Sequence, residues 1–226
     1  MIALSALIAA LATYGFTYNS PPHAQFETIC ASSNPVNTQI MIDIYRKRLT
    51  LTRPLKPPLV FHIAPGKDET PSPIGQWTIA TKHKDWGGGF GTRWLGLNVP
   101  WGVYGIHGTN KPHLIGRRVS SGCIRMNNRS VEKLYPLVPV GTKVLIEGNP
   151  LGTPYADPRS LSEGSRGSDV LLIQTYLWYL GRYQGTCNGI FDDATEYALL
   201  RFEQKANIPV DGIVDMTDYR ALGLIE

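Results

Sequence analysis

Two residues suited to covalent catalysis, His107 and Cys123, lie 16 residues apart. A cysteine becomes a nucleophile when a base takes its proton or a neighbour stabilises its thiolate. Gly122 has no Cβ, so the backbone can turn tightly beside the sulfur, and the amides of Gly122 and Cys123 could point at a developing oxyanion. This pattern predicts a thiol nucleophile with an imidazole base, although a lone Cys–His pair is more typical of a buried cysteine without function.

Several neighbours of Cys123 are candidates for supporting roles. Arg125 could hold a substrate carboxylate or form a structural ion pair. Ser120 and Ser121 could hydrogen-bond near the sulfur or serve only the turn. Residues 85–90 place three glycines between aromatic residues, which is typical of a substrate flap or of a mobile surface loop. No carboxylate pair or His/Cys cluster has metal-ligand spacing, and the glycine run lacks a phosphate-loop pattern, so we expect neither metal nor cofactor.

The elements that must position these residues read mostly as strands. Residues 38–45 alternate between apolar and polar faces, and a basic corner then leads to residues 49–52, which predicts a hairpin. Further strands are predicted at 59–64, 77–81, 102–106 and 143–147. Only residues 130–138 look helical, with Ser130 as the N-cap. Residues 36–148 therefore predict a mostly antiparallel β domain.

After a proline-rich linker at 149–162, the pattern becomes helical. Ser168 is expected to cap a first helix that ends at Gly181, and Asp193 with Glu196 resembles a capping box for a second. The apolar positions at helical spacing are Val170, Ile173, Leu177 and Leu180 in the first helix and Leu199, Phe202 and Ala206 in the second. Residues 188–192 recur as 211–215, each predicted as a glycine turn, one buried isoleucine and an acidic cap. Residues 163–224 thus predict a small three-helix domain.

Composition supports two domains and excludes some classes. Of 226 residues, 42% are hydrophobic and 18% charged, which argues against wholesale disorder, and 23 Gly plus 17 Pro argue against a long coiled coil. The net charge of +4 hides an asymmetry. Residues 163–226 hold five basic and ten acidic side chains (−5), and residues 1–162 hold 17 and eight (+9). The basic part could attract nucleic acid or an anionic polymer, or serve only solubility.

The N-terminus predicts export. Residues 2–16 are apolar and uncharged, so residues 1–24 read as a signal peptide or an N-terminal membrane anchor, with a buried core helix as the alternative. Cleavage and retention remain open. Three cysteines leave at least one free thiol, and Cys30 and Cys187 could pair.

The region around the two candidate catalytic residues resembles the YkuD-type L,D-transpeptidase catalytic domain. The family pattern of His-Gly-Thr followed by Ser-His-Gly-Cys-Ile-Arg is matched by residues 107–109 and 120–125, except that Ser121 stands where many members have histidine. The resemblance extends to residues 71–75, 92–97 and 141–144, and so covers most of 38–147. It implies a YkuD-like β-sandwich with one short helix, so that the whole chain is α+β.

The resemblance also implies a mechanism and site residues. Cys123 would attack the carbonyl after the third residue of a peptidoglycan tetrapeptide stem and expel the terminal D-alanine, with His107 moving the proton. Transfer to the amine of a neighbouring stem would form a 3→3 cross-link, whereas transfer to water would make the protein an L,D-carboxypeptidase. Gly108 joins Gly122, Ser120 and Ser121 as a supporting residue. Thr109 joins Arg125 as a candidate for binding substrate.

The last 60 residues resemble a three-helix peptidoglycan-binding module, on residues 167–170, 172–174, 177, 180–181 and both glycine turns. We therefore expect an exported monomer, in the cell wall or on the extracytoplasmic face of the membrane. Its expected partner is peptidoglycan, and residues 2–16 could tether it to the membrane. The rival hypotheses are a non-catalytic wall-binding protein, which should have lost His107 or Cys123, and a nucleic-acid-binding protein. Scattered basic residues and predicted export argue against nucleic acid as a partner.

Overall fold

A computed structural model describes residues 38–152 and 157–226, which form two compact units. The predicted export segment and Cys30 lie outside the described residues. Within them, no helix is both long enough and apolar enough to cross a membrane.

The first unit contains one eight-stranded sheet in the order β3-β2-β1-β8-β4-β5-β6-β7. Three short 3-10 helices and α1 complete it. The strands are β1 (Gln39–Asp43), β2 (Arg48–Arg53), β3 (Lys56–His62), β4 (Gly75–Lys84), β5 (Arg93–Leu97), β6 (Tyr104–His107), β7 (Ile124–Arg125) and β8 (Lys143–Glu147); the helix is α1 (Asn128–Leu134).

The predicted hairpin forms β1 and β2, which pair in antiparallel register from Gln39–Thr52 to Asp43–Arg48. The alternation of apolar and polar residues in β1 reflects its two faces, since Ile40 and Ile42 are fully buried on the face toward the core. The Asp43 carboxylate accepts from the backbone N–H groups of residues 45 and 46, which fixes the turn.

Two strand pairs are parallel in this mostly antiparallel sheet. Strand β8 returns from the end of the unit to lie between β1, to which it is parallel, and β4. Strand β7 lies parallel to β6. The ten-residue β4 pairs with both β8 and β5, so it joins the strands on its two sides into one curled sheet. The predicted α+β class is confirmed.

The helix of the first unit begins two residues earlier than predicted. Its N-cap is Asn127, and Ser130 lies inside the first turn, where its N–H donates to the Asn127 carbonyl. Pro136 has no N–H to donate, so the regular helix ends at Leu134 and a 3-10 turn follows over Tyr135–Leu137.

The second unit contains the three predicted helices, α2 (Ser168–Tyr179), α3 (Asp193–Ala206) and α4 (Met216–Ala221). The predicted caps are each displaced by one residue. Gly167 precedes α2, and Asp192 caps α3 because its carboxylate accepts from the Thr195 N–H. The sequence pattern could not distinguish Asp192 from Asp193, since both are good caps.

The duplicated turns differ from the prediction in what they bury. Ile190 is only half-buried and Ile213 is exposed, while the following residues, Phe191 and Val214, enter the core. Each of these two makes backbone bridges to an earlier segment, which turns its side chain inward. Ala206 is exposed at the end of α3, also contrary to prediction.

Candidate active site

Strand pairing brings the two predicted catalytic residues to the same edge. His107 is the last residue of β6, and its register partner on the parallel strand β7 is Arg125. Cys123 directly precedes β7. A parallel pair needs a long crossover, and residues 108–123 supply it, which is the physical meaning of the 16-residue spacing.

Cys123 and His107 line one cavity of about 350 Å³. Ser121 and Arg125, both predicted from the sequence, contribute to its wall. The full lining is Gly89, Phe90, Trp94, Val103, His107, Ser121, Cys123 and Arg125. The remaining predicted residues do not line this cavity and lie in the connection between β6 and β7: Gly108, Thr109, Ser120 and Gly122.

His107 is held by a carbonyl and by two aromatic rings. Its Nδ1 lies 2.5 Å from the Gly108 carbonyl oxygen, and because a carbonyl only accepts, the proton is assigned to Nδ1. The imidazole stacks on Trp94, with centroids 5.6 Å apart and 23° between planes, and Phe90 meets it edge-on at 5.0 Å. The neutral imidazole therefore presents Nε2 as its unprotonated nitrogen.

Burial lowers the pKa of His107 from 6.5 to about 4, and the positive charge of Arg125 acts in the same direction. The carbonyls of Gly108 and Phe90 oppose the shift, but less strongly. Because this pKa lies well below neutrality, His107 is an uncharged base at pH 7.

The Cys123 thiol is partly buried, and its Sγ lies 3.9 Å from the Val103 carbonyl oxygen. Burial raises the pKa of the thiol, while a backbone hydrogen bond from Gly105 and the charge of Arg125 lower it in part. The resting pair is thus a neutral thiol and a neutral imidazole, so attack on a substrate requires proton transfer from sulfur to His107.

Ser120 holds the turn that presents the sulfur. It is fully buried, its Oγ donates to the Cys123 carbonyl at 2.5 Å, and it accepts from the Gly122 N–H at 3.2 Å. Gly122 adopts a φ of +102°, and a Cβ there would lie 2.6 Å from the Tyr104 ring. Gly122 is therefore required for both conformation and space, and its amide is already engaged by Ser120.

Of the two roles predicted for Arg125, binding a substrate carboxylate fits the structure better than forming a structural ion pair. Among residues 38–152 and 157–226, no carboxylate lies within ion-pair distance of its guanidinium. Its Nε is buried without a hydrogen-bond partner, although the side chain lines the cavity. An unpaired guanidinium beside the sulfur is suited to binding an anionic group of a substrate.

Several wall residues escaped the sequence analysis. Trp94 lies on β5, whose residues are nearly all buried and so show no alternation, and that strand was not predicted. Phe90 lies in the glycine-rich segment predicted as a flap or a loop, and in the structure it reaches the imidazole. Val103 contributes its carbonyl, which no side-chain pattern reveals.

Two protein families match successive parts of the chain. Residues 37–146 match the family described as the L,D-transpeptidase catalytic domain, YkuD, and residues 166–222 match the peptidoglycan binding domain family. Residues 37–146 therefore belong to the L,D-transpeptidase catalytic-domain family, and they are followed by a peptidoglycan-binding domain.

Among curated relatives, the protein named L,D-transpeptidase YkuD from Bacillus subtilis is 44% identical over 107 residues, which are 47% of this chain and 64% of that protein. The YkuD of Bacillus licheniformis is 46% identical over 101 residues, 45% of this chain and 55% of that protein. The chain thus spans less than two thirds of these relatives. L,D-transpeptidase 3 from Mycobacterium tuberculosis aligns with a TM-score of 0.44 and 17% identity, over 49% of this chain and 60% of that one.

Proposed function

We propose that this protein is a cysteine-dependent L,D-transpeptidase that forms 3→3 cross-links in peptidoglycan. The observation that carries the proposal is the shared cavity, which is lined by the Cys123 thiol, the neutral His107 base and the Arg125 guanidinium, which has no ion-pair partner among the described residues. Family membership supplies the reaction class, and the cavity supplies residues that can perform it.

In the proposed reaction, a tetrapeptide stem places its third-residue carbonyl above Cys123. The thiol proton moves to His107, and the sulfur forms a bond to the carbonyl carbon. The C–N bond to the terminal D-alanine then breaks, and His107 returns the proton to the leaving amine. The amine of a second stem attacks the thioester, forms the new amide and releases the thiol.

Arg125 is the proposed anchor for the negative end of the donor stem. The carboxylate of the terminal D-alanine is the nearest anion to the scissile bond, and a guanidinium binds carboxylates in a planar, bidentate fashion. Phe90 and Trp94 add apolar surface to the wall, which strengthens such a charge pair by lowering the local dielectric constant.

The second domain is proposed to hold the enzyme on peptidoglycan, its expected partner outside the cytoplasm. Two buried polar side chains keep its repeated turns in shape. Gln174 Oε1 accepts from the N–H groups of Asn188 and Gly189, and Glu203 Oε2 accepts from those of Asp211 and Gly212. These turns lie in the loops between helices, where binding surfaces commonly lie.

Mass spectrometry of tetrapeptide muropeptides incubated with the full chain tests the proposal. We expect cross-linked dimers that have lost one D-alanine. Tripeptides without dimers would make water the acceptor and the protein an L,D-carboxypeptidase. If the folded wild-type protein gives neither product, the catalytic proposal is wrong and a non-catalytic wall-binding protein is favoured.

A pair of cysteine variants tests the assignment of the nucleophile. Cys123→Ala should abolish product formation, whereas Cys187→Ala should leave it unchanged, because Cys187 lies in the second unit and forms no disulfide among the described residues. The wild-type chain should also gain the mass of one carbapenem on Cys123. An active Cys123→Ala protein, or an adduct on Cys187, would contradict the assignment.

A further inference from the structure

The Asn128 side chain links the two segments that touch His107. Asn128 is the first residue of α1, and its Oδ1 accepts from the backbone N–H of Thr109 at 3.1 Å and from that of Thr92 at 3.4 Å. The first N–H belongs to the loop after His107, and the second lies at the end of the glycine-rich segment that carries Phe90.

The Thr109 N–H belongs to the same peptide group as the Gly108 carbonyl. That carbonyl is the acceptor for His107 Nδ1, at 2.5 Å. A single planar peptide unit therefore joins the Asn128 amide to the imidazole through two hydrogen bonds. Bonds in such a chain polarise one another, so an acceptor at one end strengthens the carbonyl as an acceptor at the other.

Glycines on both sides make this approach possible. A Cβ on Gly91 or on Gly108 would collide with Asn128 Oδ1. The bond to Thr92 also fixes the segment from which Phe90 meets the imidazole edge-on. Asn128 thus holds both the hydrogen-bonding partner and one ring partner of His107.

We infer that Asn128 is a positioning residue for the base, acting on His107 through the peptide group between Gly108 and Thr109. The inference rests on the proposed function for its catalytic meaning. It assigns Asn128 no contact with substrate. Because only two residues separate Asn128 from the end of β7, the segment that carries Cys123 also sets the orientation of the imidazole.

Three variants of the full chain test this role. Asn128→Leu keeps the branched shape and the number of side-chain heavy atoms but has no acceptor, and leaves two N–H groups unpaired. Asn128→Asp keeps an acceptor at Oδ1 and adds a negative charge. Asn127→Leu is the matched control, since Asn127 is the same residue type one position earlier and its side chain makes no capping hydrogen bond.

The first readout is a ¹⁵N NMR titration of the histidine rings, with His107 identified among the five histidines by a His107→Gln variant. The wild type and Asn127→Leu should show the Nδ1–H tautomer of His107 and a pKa of about 4. Asn128→Leu should show a mixture of tautomers. Asn128→Asp should keep the Nδ1–H tautomer and raise the pKa, because its charge favours the imidazolium.

The second readout is the rate at which a carbapenem acylates Cys123. We expect Asn128→Leu to lower the limiting rate by about 10- to 100-fold with little change in the concentration for half-maximal rate, since the base is misplaced and the binding wall is intact. Asn127→Leu should acylate like the wild type.

The NMR readout separates this inference from the proposed function. A wild-type protein without cross-linking activity would contradict the proposed function, while the tautomer of His107 would still test the positioning. An Asn128→Leu protein with wild-type His107 signals overturns the inference. Circular dichroism shows whether Asn128→Leu folds. If it does not, the Asn128→Asp variant tests the inference, and a His107 pKa in that variant equal to the wild-type value would overturn it.

Discussion

At the scale of single residues, the site is defined by the protonation states of two neighbours. Burial raises the pKa of the Cys123 thiol and lowers that of His107 to about 4, so both groups are uncharged near neutral pH. Arg125 lowers both pKa values, since a positive charge favours thiolate and disfavours imidazolium. This arrangement favours a base that acts during attack over a preformed thiolate–imidazolium pair.

The pH dependence of acylation follows from these directions. The acylation rate constant should rise with pH through about 4, where His107 loses its proton, and should be flat near pH 6.5, the ordinary imidazole pKa. Stopped-flow acylation by a carbapenem from acidic to neutral pH measures this profile. A rise centred between about pH 6 and 7 would show that His107 keeps an ordinary pKa or is not the base.

At the scale of elements, a pair of parallel strands and one tight turn place the nucleophile. Pairing of β6 with β7 aligns His107 with Arg125, and the turn over residues 120–123 positions the sulfur. The ring of Tyr104, at the start of β6, packs beside this turn. A side chain at position 122 would collide with that ring. The turn and the strand behind it therefore constrain one another.

Two glycine variants separate backbone strain from steric conflict at this turn. Gly122 and Gly116 have φ values of +102° and +90°, but a Cβ at Gly116 would meet nothing within 4 Å. Both Ala variants should lose about 1–2 kcal/mol of unfolding free energy to strain. Gly122→Ala should lose more and acylate at least about tenfold more slowly, because Cys123 is displaced.

Chemical denaturation and acylation rates of both variants test this expectation. Gly116→Ala serves as the matched control, since it carries the strain without the contact to Tyr104. Equal acylation by the two variants would mean that the turn yields freely and that Gly122 is not needed to position the sulfur.

At the scale of the whole molecule, the chain has a β unit that contains the cavity and a helical unit that contains the two hydrogen-bonded turns. The sequence assigns a net charge of +9 to residues 1–162 and −5 to residues 163–226. Peptidoglycan carries carboxylates on its stems, so the basic part has a candidate partner, with solubility as the simpler explanation.

Binding to purified sacculi should therefore survive loss of the nucleophile. We expect Cys123→Ala to cosediment with sacculi as well as the wild type does, because the proposed binding by the second domain does not use the thiol. Raising the salt from about 0.1 M to about 1 M shortens the screening length from roughly 10 to 3 Å and should weaken only the electrostatic share. Loss of binding in Cys123→Ala would place the main contact in the cavity instead.

The sequence determined the α+β class, the change from strands to helices, and the candidate nucleophile and base. Alternation, glycine turns and the motif around Cys123 are local patterns. They involve residues that are close together in the chain, so they can be recognised from the sequence alone. The same patterns misplaced Ser130, Asp193 and Ile213 by one to three residues, because nearby residues with similar propensity compete for a cap or a core position and packing decides between them.

Only the tertiary structure decided which side chains surround the imidazole. Trp94 reaches it from a strand without alternation, and Asn128 reaches it through the peptide group of Gly108 and Thr109 from a helix that begins 21 positions after His107 in the sequence. Such contacts join residues that are distant along the chain, and their energies depend on distance and orientation. Residue type and spacing carry neither quantity, so only the folded arrangement of strands, loops and helix sets the tautomer of His107 and the environment of the thiol.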